Sequence, residues 1–369
     1  MRKELKKNRQ LYLMCVPAII FLIMFCYIPM VGIWMAFTDY NIRDGIFGSR
    51  FVGLQNFKYF FTGSTGMGPR VIWNTLVINF WGLIFGTIVP ITIAICFNLV
   101  KGKFFKKFTQ SAMFFPYFLS WVVVGAIVYA FFSSDTGLVN RILTSNGFEK
   151  IRWYAEGKYW KPIIITADIW KWCGYNSIIY LAATSNFDAS LYDAASVDGA
   201  NLFQQTIHLT VPMLKPTVVV LTLMSIGRIF FGDFGMIYGI VGNNSLLYDS
   251  VAVIDTYVYS AMRSLGFSYT TAIGFFQSVM GLILVTTANK LATRSCSPGS
   301  CSVLRAAGQT GSFSFLRSWK YLLRVFTRKD SVPYFLLEEK ARSPVSVAFS
   351  RRLCYYILIL SIVRERTVQ

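Results

Sequence analysis

The sequence predicts an all-α polytopic membrane protein with six transmembrane helices, and three observations carry this prediction. Hydrophobic residues make up 54% of the 369 residues, charged residues only 14%, and the mean hydropathy is +0.50. A soluble domain carries about 25% charged residues. Several stretches are long and apolar enough to cross a bilayer. The composition therefore excludes an ordinary soluble enzyme and a disordered chain.

Six apolar stretches are predicted to span the membrane. They cover residues 11–37, 71–99, 108–132, 162–184, 216–241 and 269–288. The first and the last contain no ionisable Asp, Glu, Lys or Arg, and the first is too long for a cleaved signal peptide. The fourth contains Asp168 and Lys171, and the fifth contains Arg228 and Asp233, so these two are the least apolar.

The basic residues orient the predicted spans. Lys and Arg number 36 against 17 Asp and Glu, a net charge of +19. A nucleic-acid-binding protein and a membrane protein both show such an excess, but in a membrane protein the basic residues lie in cytoplasmic loops. Here they concentrate in residues 1–10, in 101–107 and just after the sixth span. If the chain crosses the membrane six times, these three segments lie on the same side of it. We therefore predict that the N-terminus and the end of the membrane core are both cytoplasmic.

Three regions follow from these patterns: a basic N-terminus at 1–10, a membrane domain at 11–292 and a Ser- and Arg-rich tail at 293–369. The apolar run in the tail is too short to span a bilayer. Two interpretations of the tail stay open. It is either an added regulatory or membrane-surface domain, or the product of a reading frame that departs from the parent gene near residue 293.

The chain lacks the residues of an active site or a metal site. His208 is the only histidine, and neither G-x-x-x-x-G-K-[ST] nor G-x-G-x-x-G occurs. A zinc site or a catalytic triad needs several convergent ligands or partners. We therefore expect no catalytic residue, no metal and no cofactor bound by this chain.

One predicted cytoplasmic loop, residues 185–215 (the acidic loop), departs from the basic pattern. Its sequence predicts two short amphipathic helices joined at Gly199, which accepts a positive φ without penalty. Leu191, Ala194 and Ala195 fall on one face of the first helix. The helical spacing of Leu202, Thr206 and Leu209 predicts the second helix. Pro212 and Pro216 are expected to end it. A helix lying on the membrane surface is the alternative, but such helices favour Lys and Arg.

The acidic loop carries a motif that is similar to the EAA loop of ABC importer permeases. That loop reads E-A-A-x3-G-x9-I-x-L-P, and Asp193-Ala194-Ala195, Gly199 and Leu209-x-Val211-Pro212 follow the same spacing. The departures are Asp for Glu, Leu for Ile and Val for Leu. Further segments within residues 5–290 resemble the carbohydrate branch, specifically the LplB-type oligosaccharide permeases. These segments are 8–14, 36–41, 52–57, 118–123, 179–183 and 256–259.

The resemblance implies the ABC importer type I permease fold in the plasma (cytoplasmic) membrane, with this chain as half of the translocation path for a sugar or oligosaccharide. The implied partners are a second permease, two copies of a cytoplasmic ABC ATPase that bind the ATP, and an extracytoplasmic sugar-binding lipoprotein. Which sugar is carried is usually set by the lipoprotein, and acidic sugars are one possibility. The residues implied to couple to the ATPase are Asp193, Ala194, Ala195, Asp198, Gly199, Leu209 and Pro212.

Polar and aromatic residues inside the spans are candidates for the translocation path, because ionisable groups in a bilayer are functional candidates by default. We expect Asp168 and Lys171, at i and i+3, to neutralise each other, and Arg228 to pair only loosely with Asp233. The alternative is that such residues stabilise packing or lie at the membrane interface. The candidates are Asp168, Trp170, Lys171, Asn176, Arg228 and Gln277.

The alternative function is secondary transport driven by an ion gradient. Secondary transporters commonly contain internal repeats and interrupted helices, and no clear repeat is visible in this sequence.

Overall fold

The computed structural model describes residues 9–63, 66–100 and 102–295, and the regular structure there is almost entirely helical. Contacts divide the chain into Cys15–Gly311 and a second unit of Met1–Met14 with Ser312–Gln369. Of the second unit, the structure describes only residues 9–14, which begin the first helix. Most of the predicted tail, from 296 to 369, lies outside the described residues.

The first predicted span is one helical segment that changes its winding twice. Helix α1 (Arg9–Leu22) contains Pro17, and it is followed by a π-helical turn (Ile23–Tyr27) and a 3-10 helix (Ile28–Phe37). A proline removes one backbone donor, and membrane helices accommodate it by such local changes of winding. Cys15–Phe37 is long and apolar enough to cross a membrane.

A short hairpin and two helices lead from this segment to the second span. The Asn56 side chain donates hydrogen bonds to the carbonyl oxygens of Ala36 at 3.0 Å and Thr38 at 3.1 Å, which fixes the hairpin to the end of the first span. The two strands pair antiparallel with Thr38 opposite Phe51. The elements are β1 (Thr38–Asp39), α2 (Gly45–Gly48), β2 (Arg50–Phe51) and α3 (Gln55–Thr62).

The second and sixth predicted spans are long helices. Helix α4 covers Met67–Leu99, and α15 covers Gly266–Ser295. Both contain a segment apolar and long enough to cross a membrane. Helix α4 also buries polar residues, and Asn74 donates to the carbonyl oxygens of Asp249 at 3.1 Å and Ala252 at 3.2 Å.

The third predicted span, 108–132, is not one straight helix. Helix α5 (Lys103–Phe114) runs into a 3-10 turn (Phe115–Phe118), and after a break helix α6 (Trp121–Phe132) leaves at an angle of 100°. Pro116 removes a donor from the helical ladder. Ser120 has extended backbone and caps α6, since its Oγ accepts from the N–H of Val123 at 3.4 Å. The chain therefore starts a new helix in a new direction.

The fourth predicted span is a full-length helix that is less apolar than the others. Helix α8 (Trp160–Thr184) has 25 residues, about 37 Å of helix. It contains Lys161, Asp168 and Lys171, so its length suits a membrane better than its composition does. The elements before it are α7 (Leu138–Ser145) and two 3-10 turns, Trp153–Ala155 and Gly157–Tyr159.

The prediction for the fifth span, 216–241, is wrong at both ends. Helix α9 (Ala189–Val197) is followed by a continuous helical run of α10 (Leu202–Gln205), a π-helical turn (Thr206–Thr210) and α11 (Val211–Ile226). Pro212 and Pro216 do not end this run. Pro212 lies at the start of α11, where its missing N–H is tolerated, directly after the wide π turn.

The far end of the same predicted span is broken over residues 227–233. Helix α12 (Phe234–Val241) starts there, because the Asp233 Oδ1 accepts a hydrogen bond from the Met236 N–H at 3.0 Å and caps it. Two further helices, α13 (Ser245–Val251) and α14 (Ile254–Ser264), precede α15. Sequence periodicity does not distinguish an apolar run with a cap inside it from an unbroken helix.

In the part of the chain that the structure describes, four helical segments pass as membrane spans, or five if the bent α5–α6 pair counts as one. The count of six spans and the orientation of the chain therefore stay predictions. A total of six requires that helix α8 also crosses the membrane. Buried side chains hold the helices together in three clusters. One joins α6, α8 and α12, one joins α3, α4, α14 and α15, and one joins α4, α8 and α11 through Ala94, Tyr180 and Leu214.

Candidate functional site

The acidic loop folds into helices on either side of Gly199, as the sequence predicts. Helix α9 begins after Asp188, whose Oδ1 accepts a hydrogen bond from the backbone N–H of Ser190 at 3.0 Å. This bond holds the pKa of the Asp188 carboxyl below its usual value, because it favours the ionised form. Helix α9 contains no buried residue, so its whole length is presented at the surface of the described chain.

Helix α9 ends in a Schellman motif. Gly199 has φ of +79° and donates its N–H to the carbonyl oxygen of Ser196 at 3.2 Å. The N–H of Ala200 donates to the carbonyl oxygen of Ala195 at 2.9 Å. A Cβ at residue 199 would meet open space. The left-handed backbone, rather than crowding, is therefore what glycine provides here.

The second helix of the loop starts at a capping box. Asn201 Oδ1 accepts from the N–H of Gln204 at 2.9 Å, and Gln204 Oε1 accepts from the N–H of Asn201 at 2.8 Å. Sequence reasoning missed this feature, although the Asn-x-x-Gln pattern is its visible signal. The chain therefore turns sharply, within a few residues, from one capped helix into the next.

Side chains tie the two helices to each other. Gln205 is 8% exposed, and its Nε2 donates to Ser196 Oγ at 2.9 Å and to the carbonyl oxygen of Ala200 at 3.0 Å. The hydroxyls of Tyr192 and Thr210 lie 3.0 Å apart. These bonds link α9 to the helical run that continues into α11, so the loop is a firmly held helical pair.

The outer face of the acidic loop is uncovered. Asp193, Ala194 and Asp198 are exposed and Ala195 is half-buried. In the described part of the chain, neither Asp193 nor Asp198 has a partner for its carboxylate. Leu209 is half-buried in the π turn and Pro212 is exposed at the start of α11. Large apolar side chains are exposed beside the two carboxylates: Leu191 44%, Val197 88%, Leu202 62% and Phe203 72%.

The six residues predicted to line the translocation path differ in how far their side chains are buried. Lys171 and Gln277 are buried, Asp168 and Asn176 are half-buried, and Trp170 and Arg228 are exposed. Asn176 follows Tyr175 on α8, and the ring of Tyr175 stacks on the ring of Tyr117 at 4.5 Å. Trp172 meets the Tyr117 ring edge-on at 5.3 Å.

Lys171 belongs to a network that the sequence did not reveal. Its Nζ donates to the carbonyl oxygen of Leu119 at the break before α6, and lies 4.7 Å from the centre of the Trp121 ring. The Trp121 Nε1 donates to Asp233 Oδ2 at 3.1 Å. Both Asp233 oxygens are thus bonded, one by Trp121 and one by the N–H of Met236. The hydrogen-bond and ring partners of Lys171 and the side-chain partner of Asp233 lie far along the chain, and Asp168, three residues before Lys171 as predicted, also attracts the Lys171 ammonium electrostatically.

Gln277 lies at the second break. Its Nε2 donates to the carbonyl oxygen of Phe230 at 2.8 Å and to Asp255 Oδ2 at 3.1 Å. The same Asp255 oxygen accepts the N–H of Gly232 at 2.6 Å. Asn79 completes the arrangement by donating to the carbonyl oxygens of Ile229 at 2.8 Å and Phe231 at 3.0 Å. These side chains replace the helical bonds that the break removes.

Comparison with known proteins finds one family. Residues 86–294 match the family described as binding-protein-dependent transport system inner membrane component. The chain is 39% identical over 292 residues to the polygalacturonan/rhamnogalacturonan transport system permease protein YteP of Bacillus subtilis, which covers 79% of this chain and 90% of that protein. It is 35% identical over 294 residues to protein LplB of the same organism, with the same coverage.

A solved structure has a similar fold. The matching chain belongs to a bacterial alginate ABC transporter, whose structure was solved in complex with a periplasmic protein that holds an alginate pentasaccharide. The TM-score is 0.72 and the sequence identity is 33%, and the match covers 80% of this chain and 97% of that chain.

Proposed function

Because this chain belongs to the family of binding-protein-dependent transport system inner membrane components, we propose that it is the permease half of an ATP-driven importer of oligosaccharides. It is a multi-pass membrane protein, as its apolar helices require. The observation that carries the proposal is the acidic loop, a firmly held helical pair whose outer face has no cover within the described chain. No observation favours transport driven by an ion gradient.

The acidic loop is the contact through which a separate ATPase acts on the spans. Its exposed apolar residues, among them Val197 and Phe203, suit a groove that excludes water. The small side chains of Ala194 and Ala195 allow a partner to approach the backbone closely. Asp193 and Asp198 supply carboxylates for basic groups of the partner. ATP-driven closure of two ATPase subunits then rocks the permease between its inward-open and outward-open states.

The complete importer contains more chains than this one. We propose a second, different permease beside it, two copies of the ATPase, and an extracytoplasmic sugar-binding lipoprotein. The family description names binding-protein-dependent transport, and the structure with a similar fold contains a periplasmic protein that holds the sugar. This chain supplies half of the path and no ATP site.

The substrate class that we propose is an acidic oligosaccharide. Two of the similar proteins are named for polygalacturonan and alginate, which are polymers of uronic acids. On this chain the path runs beside α8, where Trp170, Asn176 and the ring of Trp172 offer aromatic faces and an amide. Asp168 and Arg228 remain path candidates. Lys171 and Gln277 are assigned instead to the polar networks at the two breaks, where they are buried.

Energy coupling tests the function directly. The four kinds of chain are reconstituted in proteoliposomes, and uptake of labelled oligogalacturonate is measured with ATP, and then without ATP under an imposed proton gradient. Uptake is expected only with ATP, because the ATPase drives the conformational change. Uptake that continues on the gradient alone would contradict the proposal and support a secondary transporter.

A charge placed on the docking face tests the role of the acidic loop. Ala195→Asp introduces a carboxylate where we propose close packing, and uptake should fall to background while the protein stays in the membrane. Gly199→Asp should have the same effect. The matched control is Ala189→Asp, the same change at the exposed first position of α9, which should keep uptake. Full uptake by Ala195→Asp would remove the loop from the coupling path.

A further inference from the structure

We infer that helices α6 and α12 form one rigid body, held together through Trp121. This body turns at the two breaks, each of which connects one of the two helices to the helix before it. The two helices are not neighbours in sequence. Each follows an interrupted stretch: α6 follows the break at Leu119 and Ser120, and α12 follows residues 227–233. The inference concerns which parts of the proposed permease move together.

The contact between α6 and α12 is unusually close because glycines line it. A Cβ built on Gly125 would overlap the carbonyl oxygen of Gly239 and lie 3.3 Å from the Cα of Ile240. A Cβ on Gly239 would lie 2.9 Å from the backbone carbonyl of Trp121. The two backbones therefore touch, with no side chain between them. Such contacts maximise dispersion attraction where no hydrophobic effect drives association.

Buried side chains extend this contact on both sides of the glycines. From α6, Val124 and Val128 are 1% and 8% exposed, and from α12, Met236, Ile237 and Ile240 are 3–4% exposed. All five belong to one cluster of buried apolar residues. Interiors packed in this way repack between discrete arrangements rather than slide continuously.

Trp121 adds a directional bond to the packing. It is the first residue of α6, and its indole N–H reaches the carboxylate of Asp233, the residue that caps α12. A hydrogen bond to an ionised acceptor is about twice as strong as a neutral one. The N-terminus of one helix is therefore bonded to the N-cap of the other, which fixes their relative rotation.

Along the chain, by contrast, each helix has a joint. Residues 119 and 120 have extended backbone, so the ladder of helical hydrogen bonds ends at Leu119 and starts again from the carbonyl oxygen of Ser120. The carbonyl oxygen of Leu119 is bonded by Lys171 of α8, and the carbonyls of 229–231 are bonded by Asn79 and Gln277. Side-chain bonds of this kind can be exchanged without unwinding a helix. The pair is thus tied more firmly across the contact than to the spans that precede it.

Distances between spin labels test this inference in the assembled transporter. The seven cysteines are first replaced by Ala or Ser in a chain that still supports uptake. One label pair, at Val122 on α6 and Tyr238 on α12, reports on the contact, and both sites are exposed. The reference pair, at Val122 and Phe104 on α5, reports across the 100° bend. The distances are measured by electron paramagnetic resonance without nucleotide and with ATP trapped on the ATPase.

We expect a narrow Val122–Tyr238 distribution that is the same in both states, and a Val122–Phe104 distance that changes with ATP. A Val122–Tyr238 distance that shifts between the states would overturn the inference, and so would an unchanged Val122–Phe104 distance in a transporter that imports sugar. The inference rests on the proposed function only for the ATP-driven comparison. If ATP drives no uptake, the proposed function fails, while the width of the nucleotide-free Val122–Tyr238 distribution still tests the single body.

Trp121→Phe tests the fastening bond, since it keeps an aromatic ring and removes the N–H. The Val122–Tyr238 distribution should broaden, and sugar imported per ATP hydrolysed should fall, because the two helices then lose the hydrogen bond that makes them turn together. Asp233→Asn should have a smaller effect in the same direction. Trp73→Phe, at a Trp that is 64% exposed on α4, is the matched control and should change neither quantity. An unchanged distribution and ratio in Trp121→Phe would show that Trp121 does not fasten the pair.

Discussion

At the scale of single residues, Gly199 makes the sharp turn of the acidic loop possible. Its φ of +79° lies in the left-handed region, which costs other residues about 1–2 kcal/mol. Asn is the least penalised alternative because its side chain bonds locally. The loop therefore depends on the backbone of one position more than on any side chain there.

Substitution of Gly199 should follow this backbone preference. Gly199→Ala is expected to destabilise the loop by about 1 kcal/mol and Gly199→Asn by less, measured as the thermal melting of the detergent-purified protein. Gly86→Ala is the control, since Gly86 is inside α4, an added Cβ there meets open space, and alanine is the better helix former. A Gly199→Ala protein that melts no earlier than Gly86→Ala would show that the turn carries no strain.

The cap of α9 should respond to pH. The pKa of Asp188 is lowered in the folded protein by the N–H of Ser190, so its carboxylate stabilises the start of α9 at neutral pH. That contribution is present above the ordinary pKa of an aspartate and is lost as pH falls through the lowered pKa of the folded protein. Hydrogen exchange at residues 189–192, corrected for intrinsic rates, should therefore rise at low pH relative to Asp188→Asn, whose cap does not titrate. Equal pH profiles would disprove the assignment.

Residue patterns predicted the acidic loop better than the polar residues of the spans. The helix, glycine stop and second helix are local features, and local chemistry encodes them. The contacts of Lys171 with Leu119 and Trp121 join residues about fifty positions apart, and nothing in the sequence marks them. Asp255 was missed entirely, since in the sequence a single acid between two predicted spans resembles any exposed charge, and only the structure shows that Gln277 and Gly232 donate hydrogen bonds to it.

At the scale of elements, the acidic loop acts as a unit because Gln205 joins its two helices. Gln205→Leu removes two hydrogen bonds and leaves the carbonyl oxygen of Ala200 without its side-chain donor. We expect ATP hydrolysis by the assembled transporter to continue while uptake falls several-fold. The two helices of the loop are then held together less firmly, so the loop transmits less of the ATPase movement to the spans. The two rates are measured on the same proteoliposomes.

The control for this variant is Gln55→Leu, the same change at an exposed position of α3, which should leave both rates unchanged. Parallel loss of both rates in Gln205→Leu, with normal assembly, would argue that Gln205 serves docking and not stiffness.

The broken spans show where element prediction from sequence ends. Apolar length predicted the second and sixth spans well, because α4 and α15 have no cap inside them. In the third and fifth spans, Ser120 and Asp233 cap new helices within apolar surroundings, and both breaks are stabilised by side chains from other helices. A hydropathy pattern records only composition, so it joined α5 to α6 and α11 to α12.

At the scale of the whole molecule, six spans with a cytoplasmic N-terminus make a testable topology. A cysteine replacing Arg43, in the hairpin after the first span, should react with a membrane-impermeant thiol reagent in intact cells. A cysteine replacing Lys107, at the start of α5, should react only after the cells are permeabilised. Both are scored in the cysteine-free chain, and the reverse pattern would invert the orientation.

The tail should be dispensable. The family match ends at residue 294, and the relatives align with 79% of the chain. We expect a chain that stops after Ser295 to reach the membrane and import at the full rate. Sequencing of the gene across residue 293 and the intact mass of the purified protein distinguish a genuine extension from a shifted frame. Loss of uptake on truncation, restored by the full chain, would favour a regulatory domain.

The helical run from Leu202 to Ile226 has a mechanical consequence. Its 25 residues form a rod about 37 Å long that starts in the acidic loop and passes into the membrane without a linker. A movement of the acidic loop would therefore displace the C-terminal end of this helix, which lies at the break at 227–233. The prolines that were expected to end this helix lie inside it, so one continuous helix connects the acidic loop, where we propose that the ATPase binds, to the break at 227–233.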